Sequence, residues 1–83
     1  MNITVVGAGN IGTQIAVHAS YKGHKTTLYT SKPQAISKIL EIVDADNKTF
    51  MSAEIYEATN DIEKAFANAD VIFVTMLFLI YAS

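Results

Sequence analysis

The densest group of residues able to do chemistry is Gly7-Ala8-Gly9-Asn10-Ile11-Gly12, a complete GxGxxG. The apolar run ITVV leads directly into it, and a helix-like pattern, NIGTQIAVHAS, leaves it. In that context each glycine has a physical task. Gly7 permits a tight turn off a strand. Gly9 has no Cβ, so backbone can approach a pyrophosphate. Gly12 lets a helix pack closely on the preceding strand. Phosphates placed there would meet unpaired N–H groups and the positive end of a helix dipole. The same glycines could make a tight turn in a βαβ unit with no ligand. The strand before them and the amphipathic helix after them favour a dinucleotide.

A site for NAD usually places an Asp or Glu about 20 residues beyond the motif, where it holds the ribose 2′-hydroxyl. The corresponding stretch here, Leu28-Tyr29-Thr30-Ser31-Lys32-Pro33, has no carboxylate. Thr30 and Ser31 offer hydroxyls and Lys32 an ammonium, groups that suit a 2′-phosphate. The expected cofactor is NADP(H), with NAD(H) the alternative. Ser31 could equally cap a helix while Lys32 is solvated, and both roles are compatible.

Other chemistries find little support. The chain has no cysteine, and its only histidines are His18 and His24. Neither has a carboxylate or a second histidine at ligand spacing, so no metal site is expected. His18 falls within the first helix, and His24 in the turn before the second strand, away from the glycine motif. No catalytic residue and no general acid is identified. With a formal net charge of −2 and no basic run, nucleic acid is not an expected partner. No signal peptide is visible, so a cytoplasmic location is expected. The apolar stretch VIFVTMLFLIYA is shorter than the roughly 20 residues that span a bilayer. It reads as a buried strand with an apolar extension rather than a membrane segment.

The elements that must position the motif follow from periodicity. Met1 to Val6 reads as a buried strand. In the helix after it, Ile11, Ile15 and Ala19 recur every four residues, with Gly12 and Ala16 beside them. Gly23 stands where a left-handed C-cap belongs. HKTTLYT is a second strand, and a helix between two strands implies a parallel pair. Pro33 opens a short helix to about Lys38. Ile36, Ile39, Leu40 and Val43 also fit a longer helical spacing, but the turn-rich Asp44 to Lys48 favours a hairpin across Ile39 to Ile55. Glu54 to Ala58 is the expected third strand. Asn60, with Glu63 three residues on, resembles a capping box. Ile62, Ala65, Phe66 and Ala69 form the expected buried stripe of the short helix that follows. Val71 to Thr75 is the fourth strand.

The run MNITVVGAGNIGTQIA…YKGHKTTLYTSKPQ closely resembles the N-terminus of ketopantoate (2-dehydropantoate 2-) reductases and the related opine (octopine/nopaline) dehydrogenases. In the reductases the spacing runs from M-x-I-T-V-x-G-x-G-x-x-G through K-x-G-H to a basic residue and Pro-Gln. The segment DIEKAFANADVIFVT is more similar to the opine dehydrogenase group. The resemblance covers nearly the whole chain. It implies that Gly7, Gly9, Asn10, Ile11 and Gly12 meet the pyrophosphate, and that Thr30, Ser31 and Lys32 meet the adenosine ribose and its phosphate. It places Thr75, Met76 and Leu77 along the cofactor. Leu77 stands where the reductases carry a lysine, and the proline usual at that place in opine dehydrogenases is absent.

Residues 1–83 are thus expected to form one α/β domain, a half-Rossmann three-layer α/β/α arrangement. Its parallel sheet has the order 3-2-1-4, with a small hairpin after the second helix. A chain this short buries only roughly 60–65% of its unfolded surface, so help from a ligand or partner is expected. The functional expectation is the NADP(H)-binding domain of an oxidoreductase acting on a 2-keto or imino acid, without the substrate domain and without turnover of its own. The alternative is a non-catalytic dinucleotide-binding or self-associating module. Its fourth strand would be an apolar edge, which invites a homodimer through that strand or the C-terminal tail. The tail could instead fold back over its own sheet.

Overall fold

The computed structural model describes residues 1–43, 46 and 48–75, with only the backbone of Thr49. The β-branched residues Ile3, Thr4, Val5 and Val6 make β1 (Asn2–Val6), and the glycine turn releases the chain into α1 (Asn10–Tyr21). The helix stops at Gly23, whose φ is 91°. Gly23 N donates to Ser20 O at 3.0 Å and His24 N to Ala19 O at 3.1 Å. This is a Schellman ending, and it returns the chain to the sheet.

β2 (Lys25–Tyr29) pairs parallel with β1, from Asn2 opposite Lys25 to Val6 opposite Tyr29. A hairpin of β3 (Ile39–Val43) and β4 (Thr49–Glu54) comes next. The chain then makes β5 (Glu57–Thr59), α2 (Ile62–Phe66) and β6 (Val71–Val74). β5 joins β2 and β6 joins β1, both parallel, giving the order β5-β2-β1-β6. With the separate hairpin set aside, that is the expected 3-2-1-4 sheet.

Alternation along the strands sorts side chains to two faces. Ile3, Val5 and Leu28 meet Ala16 of α1 and Ile55 in a buried core, with Ile15, Ala19 and Leu40 packed against it. The hairpin therefore shares the α1 face. On the other face the Thr4 hydroxyl donates to the carbonyl oxygen of Ala65 in α2. Fully burying a side chain such as Leu28 contributes about 1.5–3 kcal/mol.

Several expectations are corrected. Pro33–Ala35 is one turn of 3₁₀ helix, not a helix to Lys38. Ile36 takes an extended conformation, φ −98°, and packs against the core, so the chain runs directly towards the hairpin. The third strand of the sheet is Glu57–Thr59 rather than Glu54 to Ala58, because Glu54 pairs with Ile39 in the hairpin. The cap of α2 is Asp61, not Asn60; its carboxylate accepts from Lys64 N at 3.2 Å. Lys64 thus occupies the place a capping-box glutamate would need, and Glu63 falls one residue short. In α2 only Ala65 is buried, while Ile62 is 52% exposed. Ile11, placed on the buried face of α1 by periodicity, is 64% exposed; Gly12 and Ala16 are buried as expected, and Val17 joins them.

Candidate dinucleotide-binding site

The glycine turn lies at the carboxyl end of β1, in the middle of the sheet, where open α/β folds place ligands. Gly7 has φ 105°, a conformation costly for any residue with a Cβ. Its N–H donates to Tyr29 O at 3.0 Å. Gly9 is the N-cap of α1 with φ −74° and ψ −170°, and no side chain caps the helix. Gly9 O accepts from Thr13 N at 2.9 Å. The N–H groups at the first turn are therefore left for a partner outside the helix. No acidic side chain occupies that turn.

The three glycines differ in what requires them. A Cβ on Gly12 would lie 2.0 Å from Gly7 O and 3.1 Å from the Thr75 hydroxyl. A Cβ on Gly9 would meet nothing within 4 Å among the described residues. The fold requires Gly7 and Gly12. Gly9 answers no internal need, and its missing side chain leaves room above the helix end.

A cleft of about 410 Å³ opens there, lined by Gly7, Ala8, Gly9, Tyr29, Thr30, Ser31 and Thr75. The structure thus brings together Gly7, Gly9, Thr30, Ser31 and Thr75 from the sequence expectations. Asn10 and Ile11 stand exposed at the start of α1, outside the lining, and Gly12 is buried beneath the turn. Lys32 is exposed one residue past the lining, its N–H donating to the Thr30 hydroxyl at 3.3 Å. Met76 and Leu77 lie outside the described residues. Thr30 is anchored by its N–H to Thr59 O at 2.9 Å, so β5 supports the strand tip.

Tyr29 borders the cleft and was not singled out from the sequence. Its ring stands edge-on to Phe66, with centroids 6.4 Å apart. The signal was its place as the last residue of β2, opposite Val6 in register. The histidines stay apart from the cleft: His18 is exposed on α1, and His24 Nδ1 lies 3.2 Å from the Met1 amino group. Lys64 is held above its ordinary value of 10.5, first by its hydrogen bond to Glu57 and then by that carboxylate's charge. Among the described residues no group of three or more His, Cys, Asp or Glu could hold a metal ion. No helix among them is long and apolar enough to cross a membrane.

Comparison with known proteins agrees with this geometry. The family model for the NAD-dependent glycerol-3-phosphate dehydrogenase N-terminus matches residues 2–78. A glycerol-3-phosphate dehydrogenase [NAD(P)+] from Thermoanaerobacter sp. (strain X514) is 29% identical, covering 92% of this chain and 23% of the relative. A malate dehydrogenase from Flavobacterium frigidimaris is 33% identical, covering 90% and 25%. A UDP-glucose 6-dehydrogenase from Rickettsia typhi is 31% identical, covering 92% and 19%. The chain spans about a quarter or less of the length of these relatives. No solved structure gives a significant match. With nearly its whole length matched, an uncapped helix end over a glycine turn and a cleft beside it, the chain belongs to the NAD-dependent glycerol-3-phosphate dehydrogenase N-terminal family, as an NAD(P)-binding Rossmann domain.

Proposed function

We propose that this chain is the NADP(H)-binding domain of an oxidoreductase acting on a small 2-keto or imino acid, the ketopantoate reductase or opine dehydrogenase type. The observation that carries the NADP(H) reading is the strand tip. Thr30 and Ser31 line the cleft, Lys32 follows them, and among the described residues the lining contains no carboxylate. A carboxylate would accept from a free 2′-hydroxyl and repel a 2′-phosphate. The keto-acid reading draws support from the malate dehydrogenase relative, malate being a 2-hydroxy acid.

The bound nicotinamide supplies hydride transfer. The residues of this chain bind and orient the cofactor. The first turn of α1 would hold the pyrophosphate, and the tip of β2 would hold the adenosine end.

A second reading, a self-associating module, rests on one observation. Among the described residues β6 is an edge strand, and its Ile72, Phe73 and Val74 are all exposed. Such an edge pairs readily with another chain, and a homodimer through β6 follows.

The test is calorimetric titration of the chain with NADPH and, separately, with NADH. Tighter binding of NADPH is expected. Equal affinities would remove the role given to Thr30, Ser31 and Lys32 and leave the glycine turn in place. Binding of neither would overturn the cofactor reading for this chain on its own.

A further inference from the structure

The end of β6 is fastened to the end of β1 by two bonds to one acceptor. Thr75 donates its backbone N–H to Val6 O at 3.0 Å and its hydroxyl to the same oxygen at 2.8 Å. The other side of that peptide unit is fastened to β2, where Gly7 N donates to Tyr29 O at 3.0 Å. The Val6–Gly7 peptide is therefore gripped by both neighbouring strands. It is the last unit before the chain turns at Gly7, with φ 105°, into the glycine turn. Its orientation sets the direction in which the following backbone leaves the sheet.

The hydroxyl also lies 3.1 Å from where a Cβ on Gly12 would stand. It is thus close to the strand end and to the first turn of α1 at once, and Thr75 lines the cleft. A carbonyl oxygen has two lone pairs, and here each has a donor. Among the described residues the backbone bond is the last rung between β6 and β1. The hydroxyl doubles that rung.

We infer that Thr75 is a positioning residue of the cofactor site: its hydroxyl locks the Val6–Gly7 peptide and so holds the glycine turn ready for the pyrophosphate. This rests on the dinucleotide reading of the turn. Donors already in place need no reordering when an anion arrives, and that saving appears as affinity.

The test compares Thr75→Val, which keeps the shape and the backbone N–H but loses the hydroxyl, with Thr75→Ser, which keeps the hydroxyl. Both are titrated calorimetrically with NADPH and NADH, and unfolding midpoints are recorded. Thr75→Val is expected to weaken both cofactors by the same factor, about fivefold, the worth of one net hydrogen bond. Thr75→Ser is expected to restore wild-type affinity. A lower unfolding midpoint in Thr75→Val with unchanged affinity would overturn the inference, because the hydroxyl would then serve the fold alone. Failure of the wild-type chain to bind either cofactor would instead remove the underlying reading.

Amide hydrogen exchange on the wild-type chain gives a check that does not depend on any variant folding. Gly7 and Thr75 amides are expected to be protected before cofactor is added. Protection that arises only on binding would overturn the inference.

Discussion

An ideal Cβ on Gly12 would stand 2.0 Å from the carbonyl oxygen of Gly7. The backbone of the helix and that of the turn preceding it come into direct contact at this point. Gly9, between them in sequence, has open space where its Cβ would be. The motif therefore divides into glycines that build the turn and one that leaves it open.

That division predicts opposite outcomes for two alanine substitutions. Gly12→Ala should destabilise by about 3 kcal/mol or prevent folding, since the clash is with backbone that cannot move aside. Gly9→Ala should cost much less, about 1 kcal/mol, because its φ of −74° suits any residue and only the poorer N-capping of alanine counts against it. It should nevertheless weaken NADPH binding by about tenfold or more, a loss of about 1.4 kcal/mol. Thermal unfolding and titration on the same samples decide the matter.

Lys32→Ala should weaken NADPH by about 1 kcal/mol, about fivefold, and leave NADH unchanged. The modest size reflects the exposure of Lys32 beyond the cleft lining. The difference should shrink as salt is raised, because exposed charges are screened. An equal effect on both cofactors would show that Lys32 does not read the 2′-phosphate.

Asp61→Ala should cost about 1 kcal/mol in urea unfolding, the usual loss on removing an N-cap acceptor. Asn60→Ala should cost less, because Asp61 rather than Asn60 accepts from Lys64 N. Equal losses would place the cap elsewhere.

The Lys64–Glu57 pair, 2.7 Å apart, makes a pH-dependent contribution whose sign follows from the raised lysine value. A cation whose value is higher in the folded state stabilises fully below its unfolded value, here 10.5, and loses that contribution as pH rises through the higher folded value. Glu57→Gln should therefore be slightly less stable than wild type at neutral pH and converge with it above 10.5. A gap that persists at high pH would mean Glu57 acts through something other than this charge.

Sedimentation should find a dimer at high micromolar concentration, and Phe73→Lys on the edge strand should return it to monomer. A wild-type monomer under those conditions would dismiss association through β6.

Much of this arrangement was legible along the chain. The GxGxxG between an apolar run and a helical pattern identified the βαβ unit, because backbone permissiveness and hydrophobic period are local properties. Gly23 as a left-handed helix end and the hairpin before Ile55 followed from the same kind of local signal. The parallel pairing of β1 and β2 followed from the helix between them, and the order 3-2-1-4 from the half-Rossmann reading built on it. Periodicity misplaced Ile11 because it describes one helix face, while which part of that face is covered depends on where the sheet ends. It misplaced the cap of α2 by one residue because Asn and Asp cap about equally well, and only the path out of β5 chose between them.

The sequence by itself determined that a glycine turn would join a strand to a helix, and that hydroxyls and an ammonium rather than a carboxylate would follow the second strand. Only the tertiary structure decided what surrounds that turn. Tyr29, Thr30 and Ser31 reach the cleft because β2 lies beside β1 in a register that sets Tyr29 against Val6. Thr75 reaches the Val6 carbonyl across 69 residues of chain because β6 takes the other side of the same strand. Contacts between residues so far apart in sequence have no local period to announce them. They exist because pairing satisfies the backbone groups of β1 on both edges, and that brings the ends of three strands together at one place.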